Sequence, residues 1–203
     1  MTLRLLGSIH GLLVHARRAR VIAETIAPWL PAEGLVIDVG CGDGAVAAHL
    51  LAHRPGLRIE GYDVMGRADG AIPIHTFDGH RLPLADRSVD AVVLVDVLHH
   101  CESPGDMLKE ALRVSRGAIV IKDHRLGHPA ARALLAAMDW VGNRPHGVVL
   151  PYSYWSEQQW RSEWSVLGLH PARYQSRLGL YPFPFSVLFD TGLHFAALLE
   201  RIP

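Results

Sequence analysis

Three glycines at alternate positions, Gly40, Gly42 and Gly44, follow an apolar run that carries an acid near its end, Val36-Ile37-Asp38-Val39. Glycine at this spacing permits positive φ and lets a ligand lie against bare backbone. Where a helix opens just beyond, its free N–H groups favour a carboxylate or phosphate in the turn. Acids recur at or just after later apolar segments, as Asp63, Asp78 and Asp96, and Lys122-Asp123-His124 closes another. An imidazole titrates near neutral pH, so His100 and His124 suit removal of a proton from a moderately acidic donor. Asp123 could orient such a base. A metal centre is not expected, because adjacent His99 and His100 lack the helical spacing of H-E-x-x-H and no paired C-x-x-C occurs.

Such residues need a scaffold that brings several strand ends to one edge. The order of segments supplies it. Val36 to Val39 reads as a buried strand and Ala45 to Ala52 as the helix after the turn. Leu57 to Val64 is a second strand, Ile72 to Phe77 a third at a sheet edge because Pro73 cannot join a ladder, and Ala91 to Val95 a fully apolar fourth. A helix from Pro104 to Val114 and a strand from Ala118 to Ile121 continue the alternation, the pattern of a parallel sheet covered on both faces. Residues 3 to 27 have helical periodicity, with Arg17, Arg18 and Arg20 on a solvated face and Pro28 and Pro31 as the stop. At 203 residues, a single domain fits, divided into an N-terminal helical segment 1–33, a core 34–123, an insertion 124–155 and C-terminal elements 156–203. Twenty basic residues balance twenty acidic ones, which disfavours a nucleic-acid partner. The two cysteines fit a reducing cytoplasm, and no stretch reaches the length of a spanning helix.

Read loosely, Gly40, Gly42, Ala45 and Asp63 satisfy the dinucleotide pattern, which leaves an NAD(P)-dependent oxidoreductase as one alternative. Asp38 before the glycines, Asp78-Gly79-His80-Arg81-Leu82-Pro83-Leu84-Ala85-Asp86-Arg87-Ser88-Val89-Asp90 and Leu98-His99-His100 instead resemble the class I S-adenosylmethionine (SAM)-dependent methyltransferases, among them small-molecule enzymes related to quinone-modifying ones. The resemblance covers residues 34 to 123. It implies a Rossmann-like α/β fold with a mostly parallel seven-stranded sheet, helices on both faces and a C-terminal antiparallel strand. It also implies that Asp38, Gly40, Cys41, Gly42 and Gly44 hold the methionine part of SAM. Asp63 with Val64 would take the ribose, Asp78 with Gly79 the adenine, and Asp96 with Val97 would border the cofactor. Leu84 and Val89 replace the family's usual phenylalanines, and Ser115-Arg116-Gly117 stands where Pro-Gly-Gly is usual. The implied activity is transfer of the SAM methyl group to an O, N or C nucleophile, leaving S-adenosylhomocysteine (SAH). A SAM-binding protein without turnover is a further alternative.

Residues 124 to 155 are expected to form the acceptor pocket for a small molecule with aromatic or apolar character, because long ordered loops at a binding edge are commonly functional. They hold a helix from Ala130 to Trp140, then His146, Tyr152, Tyr154 and Trp155 as candidate substrate contacts. Met138-Asp139-Trp140 through Tyr154 also resembles a block of a bacterial methyltransferase subgroup. Ser156 and Gln159 make a capping box for the next helix. Two last strands are expected at His170 to Arg177 and Leu193 to Glu200, the second half-buried by its alternation. The apolar link Leu180 to Phe189 between them is a surface loop that offers peripheral contact with a lipid surface.

Overall fold

A strand that is apolar at nearly every position must be covered on both faces, and Val89–Val95 lies at the centre of a seven-stranded sheet. The computed structural model describes residues 2–66, 70–143 and 151–202. The strands are β1 (Glu33–Val39), β2 (Gly56–Asp63), β3 (Ile74–Thr76), β4 (Val89–Val95), β5 (Ser115–His124), β6 (Leu169–Gln175) and β7 (His194–Arg201). The helices are α1 (Thr2–Ile26), α2 (Ala45–His53), α3 (Pro104–Val114), α4 (Ala131–Asn143), α5 (Glu157–Val166) and α6 (Phe185–Phe189). The spatial order is β3-β2-β1-β4-β5-β7-β6. The β1, β2, β3, β4 and β5 pairings are parallel, and β7 is antiparallel to both β5 and β6. Strand order therefore reverses between β1 and β4, and the crevice beyond their carboxyl ends is where such sheets bind ligands.

Two apolar layers sandwich the sheet. One packs Leu108, Met107, Trp160 and Trp164 of α3 and α5 against Val92, Leu94 and Phe195. The other packs Ile22, Ala23 and Ile26 of α1 and Leu50 of α2 against Val36, Ala91 and Val93. Local chemistry sets the helix starts. Ser103 accepts the Asp106 N–H ahead of Pro104, and Ser156 and Gln159 form both bonds of the expected capping box.

Some boundaries differ from expectation. α4 runs on to Asn143, and β3 keeps only three residues, since Pro73 cannot donate to the ladder. β7 is buried from His194 to Leu199 instead of half-buried. The reason is its place between β5 and β6: Phe195, Ala197 and Leu199 enter one apolar layer while Ala196 and Leu198 enter the other. The link after Leu180 contains α6 and leaves Phe183, Phe185, Val187 and Leu188 exposed. Among the described residues no helix is long and apolar enough to cross a membrane.

Phe195 is fully buried against Trp160, Trp164 and Tyr174, with ring centroids 5.3, 5.9 and 5.7 Å away. Phe195→Ala should cost about 3–5 kcal/mol through the cavity it leaves. Urea unfolding midpoints measure this, and a loss below about 1 kcal/mol would mean the layer can collapse around the gap.

Candidate active site

The turn after β1 depends on left-handed backbone at Gly40, Gly42 and Gly44, with φ of +68°, +57° and +76°. A Cβ on Gly40 would stand 2.3 Å from Val97 Cγ2, so the bare backbone lets the exit of β4 close against the exit of β1. A Cβ on Gly42 would have nothing within 4 Å, which leaves open space over the turn. Cys41 lies against Gly61 of β2, where an added Cβ would meet its sulfur at 2.5 Å.

Three of the expected acids converge here. Asp38 is buried, and its Oδ1 has no hydrogen-bond partner. Burial, and then the neighbouring Asp63, push its carboxyl up to about 7. Asp63 accepts the Gly42 N–H at 2.8 Å on one oxygen and the Met65 N–H at 2.9 Å on the other. Each carboxylate oxygen has two lone pairs, so acceptor capacity remains for a diol. Asp78 is exposed and accepts the Arg81 and His80 N–H groups at 2.7 and 2.8 Å, which lowers its pKa. Gly79, at φ +80°, backs onto Val64, whose Cγ1 would lie 3.0 Å from an added Cβ. Contacts thus link the residues expected on β1 and β2 with Val97, through Gly40 and Gly42, and the 78–79 loop with Val64.

Asp96 is drawn to the other side. At the exit of β4, with φ +53°, its carboxylate takes Lys122 Nζ at 2.5 Å and Arg18 at 3.0 Å. Burial alone would raise its pKa, but those two cations hold it well below the usual range. Arg18 was expected on a solvated face. It turns inward to pair with the half-buried Asp96, and its guanidinium also lies 5.6 Å from the Tyr181 ring centroid. Arg17 is likewise held, by the Gly179 carbonyl at 3.2 Å.

The expected Asp123–His124 pair is not formed through the side chains, whose Oδ1 and Nδ1 are 3.7 Å apart. Asp123 instead meets a ring from the segment after β4. Its Oδ1 is 2.6 Å from His99 Nδ1 and accepts the His124 backbone N–H at 2.6 Å, while Oδ2 accepts Leu98 N–H at 2.9 Å. His100, half-buried, lies beside this group with its ring centroid 4.0 Å from that of His99. Tyr152, Tyr154 and Trp155 line an open cavity of about 490 Å³ with Glu102, Ser103 and Arg132. That cavity shares no residue with the glycine turn. Tyr154 is itself buried and donates its hydroxyl to Asp139, and Trp155 packs on Trp160 with centroids 4.7 Å apart. His146 lies outside the described residues. Sequence reasoning missed His99, Asp139, Lys122 and Arg18; the only linear signal was polar residues embedded in apolar runs.

A family model described as a methyltransferase domain matches residues 14–172, and the chain belongs to that family. A bifunctional methionine biosynthesis protein, MetXA/MetW of Rhodopirellula baltica, is 29% identical over 128 residues, which are 52% of this chain and 20% of that protein. The chain therefore spans about a fifth of that relative. Geranyl diphosphate methyltransferase, solved in complex with SAM, superposes with a TM-score of 0.69 at 15% identity over 90% of this chain and 85% of that one. The chain complexed with the Trm112 methyltransferase activator of Haloferax volcanii gives 0.66 at 19% identity, over 92% and 91%. The fold is that of the class I SAM-dependent methyltransferases.

Asp38 gives a pH signature. Its folded pKa of about 7 exceeds the ordinary 3.8, so between those values the folded protein binds a proton that the unfolded chain has released. Stability must then fall by roughly 1.4 kcal/mol per unit as pH rises through that window, and level off above it. Asp38→Asn should flatten the slope and be more stable than the parent at pH 8. Equal slopes in urea titrations at pH 5 and pH 8 would show that Asp38 is ionised throughout.

Proposed function

We propose that this methyltransferase transfers the SAM methyl group to a small-molecule nucleophile in a single in-line substitution. The observation that carries the reading is the unpartnered, buried Asp38 oxygen beside the open space over Gly42, next to the Asp63 carboxylate at the tip of β2. A cation with a diol at fixed spacing suits that set, and SAM has an ammonium group and a ribose. Asp38 and the Gly40–Gly44 turn would hold the amino-acid end, Asp63 and Val64 the ribose, and Asp78 and Gly79 the adenine. The bound group supplies an electrophilic methyl on a sulfonium, which leaves as the acceptor's lone pair forms the new bond. Positioning then supplies much of the rate.

The chain's own task is to seat the acceptor and receive a proton where one is lost. Asp123 and His124 are sealed from solvent, whereas His100 is half-buried at the exit of β4. Of the three expected proton acceptors, His100 therefore has the best access. The charged tips of β4 and β5 favour an acceptor whose reacting end is polar, and the rings of Tyr152 and Trp155 could hold an aromatic or apolar remainder. The cytoplasm, where SAM is made, is the fitting location.

Calorimetric titration with SAM, SAH and NADPH tests the reading. Micromolar binding of the first two is expected. Asp63→Ala should weaken SAM by about 1–3 kcal/mol, the effect of leaving charged hydrogen bonds unmade. Binding of NADPH alone would replace the assignment with an oxidoreductase. An unchanged SAM affinity in Asp63→Ala would remove the ribose role.

A further inference from the structure

One buried cluster lies apart from the residues proposed to hold SAM. His99 Nδ1, His124 Nδ1 and Asp123 Oδ1 point at one another, with separations of 2.6 Å (His99–Asp123), 3.2 Å (His99–His124) and 3.7 Å (His124–Asp123). The three residues are 2%, 3% and 0% exposed. Hydrogen bonds account for the two shorter sides of this triangle, while the third, at 3.7 Å, is too long for one. Those sides enclose a point about 1.9 Å from all three atoms, close to the roughly 2.0–2.2 Å of zinc–nitrogen and zinc–oxygen bonds. Asp96 lies beside them: with one ligand atom taken from each of the four residues, these atoms lie within 4.8 Å of one another, and Asp96 Oδ1 is 4.0 Å from His124 Nε2.

The surroundings hold these groups in place. His99 directs its other nitrogen, Nε2, toward Asp139 Oδ2 at 3.6 Å, and the Tyr154 hydroxyl fixes that carboxylate. A metal-bound imidazole characteristically has a carboxylate near its second nitrogen, and here that carboxylate lies just beyond hydrogen-bond distance. Asp123 is oriented by the Leu98 N–H, and Asp96 by Arg18 and Lys122. Charge points in the same direction. With both imidazoles neutral, as ligation requires, Asp96, Asp123 and Asp139 outnumber Lys122 and Arg18 by one negative charge, with only Asp96 and Arg18 of the five partly open to solvent. A cation offsets that excess.

We propose that His99, Asp123 and His124, with Asp96 at the fourth position, form a buried site for a first-row divalent metal ion, best matched by zinc. Two imidazoles with carboxylate oxygens suit such an ion, whereas calcium and magnesium prefer oxygen alone. The closed setting makes the ion structural. It would join the 3-10 turn Leu98–His100 to the tip of β5, and so fix the segment that presents Val97 to Gly40. Linear spacing could not reveal it, because His99 and Asp123 are separated by a helix and a strand. The inference is independent of the methyl-transfer reading, and its test uses neither SAM nor an acceptor.

The test uses the full chain without a histidine tag, stripped with a chelator and titrated with Zn²⁺ and Co²⁺. One equivalent of Zn²⁺ should bind below micromolar, and Co²⁺ should give the visible bands of a four-coordinate site. His124→Ala and Asp123→Asn should each weaken binding by roughly 100-fold or more, at or beyond the upper end of the loss seen on removing mere outer partners. His170→Ala serves as the control for the other histidines, of which the chain has thirteen in all, and should match the parent. If a variant does not fold, X-ray absorption of the zinc-loaded parent decides, with two imidazole nitrogens expected. No stoichiometric binding by the parent, equal binding by folded His124→Ala, or absorption without two imidazoles would each overturn the site and leave His99–Asp123 as a plain ion pair.

Discussion

Charge buried at the tips of β4 and β5 constrains everything around it. Lys122 is fully enclosed, and an ammonium there is tolerated only beside Asp96, 2.5 Å away. Burial pulls its pKa down even so, and Asp96 needs Arg18 as well. The pairing ties α1 to the ends of β4 and β5, whose register the sheet ladder already fixes. Loss of one partner from such a group commonly costs about 3–5 kcal/mol, because the remaining charge stays buried. The left-handed backbone of Asp96 belongs to the same arrangement. It ends β4 abruptly and sends Val97 back against the glycine turn.

Much of the architecture was legible in the sequence because local rules and burial agreed. The alternation of strand and helix, the glycine turn, the edge position forced by Pro73 and the Ser156–Gln159 cap all follow from short-range chemistry. The positions of the acids Asp38, Asp63 and Asp78 were legible too, since each sits at or just beyond a strand end in a sheet whose order brings those ends together. What the sequence left hidden depends on side-chain direction across long separations. Whether His99 or His100 enters the interior is decided by the 3-10 turn after β4, and both read alike in a linear scan. Arg18 looked like any solvated arginine until the unpaired charge across from it was in place. The inward Tyr154 is another case, because its hydroxyl finds Asp139 only once α4 has docked.

The two sides of the crevice divide the chemistry. On the β1–β2 side, backbone N–H groups and carboxylates are spaced around an opening, with one buried oxygen unpartnered. Polar side chains on the β4–β5 side already satisfy one another, so a molecule entering there meets a finished network and must match its surface.

The antiparallel β7 has a consequence for biogenesis. It is the last strand in chain order, yet it lies inside the sheet, between β5 and β6. On a ribosome, β6 emerges first and has no neighbour with which to form a ladder, while the open flank of β5 stays available to other chains. The sheet can be completed only after residues 194–201 leave the exit tunnel and insert between them. Until that insertion, the flank of β5 is an unpaired sheet edge of the kind that templates pairing with another chain, so the delay between β5 and β7 is the interval in which aggregation competes with folding.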